Sequence, residues 1–118
     1  MFNTLLQELL DRINHSIGVV LLDYDGLVID KVIRGETDEI ENLAVECLNL
    51  IKQTRLLTLN PQVGAVEELT LQTGKMKFVL RAITPEHFLL LFMKPEGLNG
   101  LARYQLAKCS LKLGKGLL

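Results

Sequence analysis

The segment from Phe88 to Met93 is apolar at every position, and this feature most limits what the chain can fold into. A strand of that composition has no face suited to water, so it must lie inside a sheet that is covered on both sides. The run is also far shorter than the roughly 18 apolar residues of a membrane-spanning helix. We therefore predict a central strand here, with helices on both faces of its sheet.

Two further strands lead into this central strand through short turns. Residues 65–72 and 76–83 have strand character and are separated by Thr73-Gly74, and the turn at residues 84–86 follows. Strands joined by such short turns pair antiparallel. Because residues 65–72 begin this series, we expect them to form an edge strand.

The rest of the chain alternates between helical and strand periodicity. The predicted elements are a helix over 2–14, a hairpin with strands over 17–22 and 27–33, a helix over 38–55, and a closing helix from 98 that Gly114 and Gly116 end. Together with the three later strands, the order is α-β-β-α-β-β-β-α in a single domain over 1–118. This order predicts an α+β fold of three layers, with a five-stranded antiparallel sheet between helices on both faces.

Composition and charge exclude several classes of function. The chain has 13 Lys and Arg against 14 Asp and Glu, so it lacks the basic excess that binds nucleic acid backbones. No apolar run suits membrane insertion, and the first residues do not resemble a secretory signal. Cys47 and Cys109 lie on predicted apolar helix faces without the spacing of a disulfide framework or a metal site. We expect a cytoplasmic protein with no nucleic acid partner.

The acidic hairpin and the two histidines are the first places to look for catalysis or metal binding. Asp23 and Asp25 precede a glycine as in a calcium loop, and Asp30 follows, but the remaining ligands of that loop are missing. We interpret the pattern as a tight turn. His15 and His87 have no partner at a ligand spacing, so we interpret them as polar residues at element ends.

The glycines do not make a nucleotide site. Gly74-Lys75 leads into a strand, and Met76 stands where a phosphate loop needs Ser or Thr. The glycines of residues 96–100 do precede a helix, where an anion could bind, but entry into the helix explains them equally well. The sequence therefore predicts no catalytic residue, no metal site and no cofactor.

The second helix and the neighbouring strand carry apolar residues on more than one face, which is more than one buried face of each element accounts for. They continue past the main helical stripe at Leu50, Leu56, Leu57 and Leu59. An exposed edge strand must be shielded, charged or paired with another chain. Glu67 and Glu68 suit a shield, whereas pairing across a two-fold axis would also bring the adjoining helices together. We predict a homodimer, with an interface that comprises Leu48, Ile51, Ala65, Val66, Leu69 and Leu71.

Three stretches of the sequence resemble the Roadblock/dynein light chain family, specifically its short prokaryotic MglB-like members. They are GVVLLDYDGLVI at 18–29, ENLAVECLNLI at 41–51 and GLNGLARYQLAK at 97–108. Their order and spacing carry the resemblance over nearly the whole chain. It implies a profilin-like sandwich that homodimerises by extending one sheet across two subunits and pairing the second helices.

The same resemblance implies a non-enzymatic regulator of a small Ras-like GTPase. MglB-like members activate hydrolysis by repositioning groups of the GTPase, whereas other members are structural adaptors in signalling or motor complexes. The adaptor is therefore our alternative, and a sensor of a small molecule or anion is a third. An arginine supplied in trans is the usual device of a GTPase activator. Strand, helix and loop-border positions make all four candidates unsuited to that role: Arg34, Arg55, Arg81 and Arg103.

Overall fold

The computed structural model describes residues 2–35 and 38–117, and its elements follow the predicted order. The helices are α1 (Asn3–Asp11), α2 (Asp38–Thr54) and α3 (Asn99–Leu117), and a short 3₁₀ segment (Arg55–Leu59) follows α2. The strands are β1 (Ser16–Asp23), β2 (Val28–Ile33), β3 (Glu68–Gln72), β4 (Lys77–Thr84) and β5 (His87–Met93). Within the described residues they form one antiparallel sheet in the order β2-β1-β5-β4-β3, which confirms the predicted α+β fold.

The apolar strand β5 lies at the centre of the sheet, between β1 and β4, as its composition predicts. Leu91 stands opposite Val19 of β1 and Val79 of β4. Side chains of β5 alternate between the two faces, so Leu89 and Leu91 contribute to one core and Leu90 to the other. Both cores are apolar, which is why every position from Phe88 to Met93 is apolar.

Helices cover both faces of the sheet and make the predicted three layers. On one face α1 and α3 bury Leu10 and Leu106. On the other face α2 alone buries Ala44 and Leu48. No helix among the described residues is long and apolar enough to cross a membrane.

Helix α3 extends past the glycines that were predicted to end it. It runs through Gly114 and Gly116 as far as Leu117. A Cβ atom at Gly114 would lie 3.6 Å from Ile83, and one at Gly116 would lie 2.9 Å from the ring of Phe2. Gly116 therefore allows α3 to lie close to the Phe2 ring, whereas Gly114 leaves room for a methyl group. The prediction that these two glycines stop the helix is wrong.

Two other boundaries differ from their predictions. Strand β3 begins at Glu68 and not at residue 65, although the Glu67 carbonyl still accepts a hydrogen bond from the Ala82 amide at 2.9 Å. The 3₁₀ segment was not predicted. Along it, the hydroxyls of Thr54 and Thr58 donate to the carbonyls three residues back, a local bonding pattern that competes with regular α-helical bonding.

Candidate functional site

Strand β3 is the outer strand of the sheet, as predicted, and pairs on one side with β4. Leu69 stands opposite Leu80 and Leu71 opposite Phe78, so both leucines lie on the face that α2 covers. Within the described chain no strand pairs with the other side of β3. Its backbone amides and carbonyls on that side are available to another strand.

The flank of α2 next to β3 is apolar and incompletely covered. Leu50 of α2 and Leu71 of β3 keep 39% and 40% of their surface exposed, and both line a gap of about 10 Å³ between the two elements. Leu43, one α2 position seven residues earlier, is half-buried. We call Leu43, Leu50, Leu69 and Leu71 the α2–β3 surface.

Two residues that were predicted at the interface lie inside the single chain. Leu48 and Ile51 are only 1% and 2% exposed and pack in the core with Phe88 and Leu90. They lie on the side of α2 that faces the sheet, whereas Leu50 lies on its flank. A partner chain has no access to either side chain, so the structure places Leu48 and Ile51 in the monomer core.

The other predicted interface residues remain accessible to different degrees. Leu69 is half-buried and Leu71 exposed within the α2–β3 surface. Ala65 is exposed and Val66 half-buried, and both precede β3. They line a cavity of about 420 Å³ beside the 3₁₀ segment, which extends the apolar margin of the molecule beyond β3.

Comparison with solved structures decides the fold. The Roadblock/LC7 domain from Streptomyces avermitilis superposes with a TM-score of 0.86 at 19% identity, over 97% of this chain and 95% of that chain. The chain has the Roadblock/LC7 fold. Myxococcus xanthus MglB matches with a TM-score of 0.86 at 16% identity, over 98% of this chain and 94% of that one. MglC from Myxococcus xanthus matches with a TM-score of 0.69 at 26% identity, over 98% of both chains. No family model and no curated protein matches the sequence.

Two arginines of this Roadblock/LC7 fold share one carboxylate. Arg81 Nη1 donates to Glu68 Oε2 at 2.9 Å, and Arg103 Nε donates to the other oxygen of the same group. Glu68 is well buried for an acidic residue, with 15% of its side chain exposed. In the sequence Glu68 suggests only a shield of the edge strand, and the signal of its ion pair is the antiparallel register that places it opposite Arg81.

The other two arginines considered as fingers, Arg34 and Arg55, also have internal partners. Arg55 donates to the Pro85 carbonyl at 2.6 Å, and its guanidinium lies 4.4 Å from the centre of the Tyr24 ring. Arg34 donates to the Leu10 carbonyl at 3.2 Å, where α1 ends. Each of these guanidinium groups is therefore held in place by contacts within the chain.

The acidic hairpin is a turn, as interpreted from its sequence. Oδ1 of Asp23 accepts hydrogen bonds from the backbone amides of Asp25 and Leu27, both at 2.9 Å. Gly26 completes the turn with a φ of +89°, a conformation that favours glycine. Among residues 2–35 and 38–117, no three His, Cys, Asp or Glu side chains are grouped in a way that could hold a metal ion.

The histidines and the Gly74-Lys75 pair also have structural roles. His15 adopts a φ of +66° in the turn between α1 and β1, and His87 Nδ1 lies 2.7 Å from the Thr84 hydroxyl beside the β4–β5 turn. The Thr73 hydroxyl accepts hydrogen bonds from the amides of the next hairpin tip, including that of Lys75 at 3.3 Å. This glycine-lysine pair is therefore a hairpin tip, as interpreted.

The two cysteines lie on apolar, buried helix faces, as predicted, and belong to the cores on opposite faces of the sheet. Cys47 and Cys109 are 8% and 7% exposed and unpaired. Burial raises the pKa of both thiols to about 11, and the neighbouring Glu46 carboxylate adds to the shift of Cys47. Because the thiolate is the nucleophilic form, neither cysteine is suited to catalysis at neutral pH.

Proposed function

We propose that this chain forms a homodimer through the α2–β3 surface and acts as a non-enzymatic regulator of a small Ras-like GTPase. The free edge of β3 beside half-exposed leucines carries the proposal. The Roadblock/LC7 fold and the likeness to MglB support it, because the sequence resembles MglB-like members of a family that serves such GTPases. The GTPase itself supplies the catalytic groups.

Pairing of two β3 strands across a two-fold axis would have two stabilising effects. It would satisfy the free backbone groups of β3 and extend the sheet from five strands to ten. The same axis would bring the flanks of the two α2 helices together and cover Leu50 and Leu71 in both subunits. Removing these apolar side chains from water would stabilise the dimer, at about 25 cal/mol for each Å² buried.

Internal contacts of the four candidate arginines, Arg34, Arg55, Arg81 and Arg103, support regulation without an arginine finger from these positions. Arg81 and Arg103 would have to leave Glu68, and Arg55 would have to leave Tyr24, before any of the three could reach a bound nucleotide. A mechanism in which the dimer orders the switch regions of the GTPase needs no such rearrangement. Any acceleration of GTP hydrolysis then depends on the intact dimer, which acts as a rigid surface.

We also propose that the protein works in the cytoplasm. Its two free cysteines are buried in separate cores and have no disulfide partner. Such thiols suit a reducing compartment, since secreted domains of this size commonly use cysteines for disulfides.

The test is single-turnover GTP hydrolysis by the Ras-like GTPase encoded nearest to this chain, with and without the purified protein. We expect the wild type to bind the GTPase and accelerate hydrolysis, and the double variant Leu50→Glu with Leu71→Glu to be monomeric and inactive. Leu98→Glu is the matched control, because Leu98 is 69% exposed outside the α2–β3 surface. That variant should remain dimeric and active.

The arginine variants separate the possible mechanisms. Ala at Arg34, Arg55, Arg81 or Arg103 should leave most of the stimulation intact. A dimeric Arg→Ala variant that still binds the GTPase but loses the acceleration would establish a finger and contradict the proposed mechanism. Binding without any acceleration by the wild type would instead support the structural adaptor.

A further inference from the structure

Helix α3 is the basic element of a chain that is otherwise acidic. It contains Arg103, Lys108, Lys112 and Lys115 and no Asp or Glu, which leaves nine basic against 14 acidic residues in the rest of the sequence. Within residues 2–35 and 38–117, the three lysines form no ion pair. A helix that concentrates unpaired charge of one sign attracts partners of the opposite sign.

A groove runs between this helix and the end of β4. It encloses about 450 Å³, and its walls include Arg81, Ile83, Tyr104, Lys108, Ser110 and Leu111. Strand β3 begins only at Glu68, opposite Arg81, so β4 continues past the strand that covers its edge. We call this depression the α3–β4 groove.

The groove combines exposed apolar side chains with charge at its rim. Tyr104 is 62% exposed and Leu111 is 75% exposed on the side of α3 that borders it. Lys108 lies between them, one helical turn from each. Aromatic and apolar anchors beside fixed positive charge are typical of surfaces that bind a peptide.

Ser110 supplies an independent indication of a ligand. It is 7% exposed in the wall of the groove, and its hydroxyl has no hydrogen-bond partner among the described residues. A buried polar group without a partner is costly, and native proteins contain few of them. A peptide backbone or side chain in the groove could provide the missing partner after a small side-chain rotation.

We propose that the α3–β4 groove binds a short acidic segment of a partner protein. One apolar side chain of that segment occupies the groove between Ile83 and Leu111, and one of its carboxylates pairs with Lys108 at the rim. The groove shares no residue with the α2–β3 surface, so this proposal does not depend on the GTPase or on the dimer.

Fluorescence anisotropy with a defined probe tests the proposal. The probe is a short labelled peptide with Glu residues on both sides of one central Phe. One control peptide has Gln at every Glu, and another has Ser in place of Phe. We expect the acidic peptide to bind saturably at low salt, and each control peptide to bind at least tenfold more weakly, because one lacks the charge and the other the anchor.

Variants of the protein locate the binding site. Lys108→Glu and Leu111→Ser should each weaken binding of the acidic peptide about tenfold or more. Their matched controls are Lys75→Glu at the β3–β4 hairpin tip and Leu98→Ser before α3, which should leave binding within twofold. Circular dichroism establishes that all four variants are folded.

Ser110→Ala tests the buried hydroxyl without changing charge. Loss of one hydrogen bond should weaken the peptide about 2- to 10-fold, while the urea midpoint should not fall, since the hydroxyl has no partner in the free protein. Equal binding of the Glu and Gln peptides would overturn the proposal, as would unchanged binding by Lys108→Glu and Leu111→Ser. Self-association that Lys108→Glu abolishes would identify a second copy of the chain as the occupant and overturn it too.

Discussion

At the β3 margin of the sheet, the two faces are covered in different ways. On one face a single helix, α2, leaves Leu50 and Leu71 half exposed beside the free strand edge. On the other face α1 and α3 share the cover, and the Glu68 carboxylate ties β3 to both β4 and α3 through two arginines. The first margin is apolar and the second is polar.

Charge follows the same division. Helix α2 carries four acidic residues and one lysine, whereas α3 carries four basic residues and no acidic one. An apolar margin with a free strand edge suits another copy of the same surface. A basic groove suits an acidic partner. One small domain can therefore present two surfaces of different chemistry at neighbouring places.

A pair of charge substitutions two residues apart on α2 should have the largest effect. Leu48→Glu buries an unpaired charge among Leu90 and its neighbours and should unfold the chain, at a cost of about 3–5 kcal/mol. Leu50→Glu should leave the fold intact and abolish the dimer. Circular dichroism and sedimentation separate the two results.

Identical behaviour of the two variants would contradict this division of α2. If Leu48→Glu kept its helical signal and became monomeric, Leu48 would be an interface residue after all. If Leu50→Glu stayed dimeric, the α2 flank would not contribute to association. Leu98→Glu serves as the control for an added surface charge.

The sequence was sufficient for the fold because its strongest patterns are also the most deeply buried. The wholly apolar segment from Phe88 to Met93 required cover on both faces, and the short turns required antiparallel neighbours. Three- and four-residue periodicity located α2 to within one residue at its end, Thr54 against a predicted 55. These patterns reflect burial, which acts on every residue of an element.

The candidate surface was harder to predict because periodicity does not show which apolar side chains of a helix the sheet covers. Leu48, Leu50 and Ile51 are all apolar and nearly adjacent, yet only Leu50 lies on the flank of α2. That distinction depends on how far the sheet extends beneath the helix. Likewise, Gly116 matches a helix terminator in sequence, and only its approach to the Phe2 ring reveals a packing role.

The reactivity of the two cysteines measures how tightly each face of the sheet is covered. Cys47 lies in α2 and Cys109 in α3, and burial raises the pKa of each thiol to about 11. Both should react with a thiol reagent at pH 8 only through unfolding, at rates orders of magnitude below those in denaturant. Fast reaction of Cys47 alone, measured by mass spectrometry, would show that the α2 face opens locally.

The raised pKa values also predict a loss of stability at high pH. The unfolded thiols ionise near pH 9 while the folded thiols stay protonated, so stability is complete below pH 9 and falls as the pH rises toward 11. Urea midpoints across this range measure the fall. Cys109→Ala should make the urea midpoint depend less on pH. An unchanged pH dependence would contradict the role of this thiol.

Gly97→Ala should lower the free energy of unfolding by less than Leu48→Glu does, but by more than a substitution at the surface does. A Cβ atom there would lie 2.9 Å from Met93 Sδ and 3.3 Å from the Lys94 carbonyl oxygen. The Gly97 carbonyl also accepts a hydrogen bond from the buried Lys77 ammonium at 2.8 Å. We expect a loss of about 1–3 kcal/mol in urea unfolding. Gly100→Ala, which meets nothing within 4 Å, is the control and should not destabilise.

Gly114→Ala should have the smallest effect and the opposite sign. The new Cβ would lie 3.6 Å from Ile83, an ordinary van der Waals distance, and alanine favours a helix interior over glycine. We expect a gain of about 0.5–1 kcal/mol, seen as a higher urea midpoint with an unchanged slope. Gly116→Ala should gain less because its Cβ would lie 2.9 Å from the Phe2 ring, which must move. Destabilisation by Gly114→Ala would mean that α3 and β4 are packed too tightly for a methyl group, and the α3–β4 groove would then be narrower than its walls indicate.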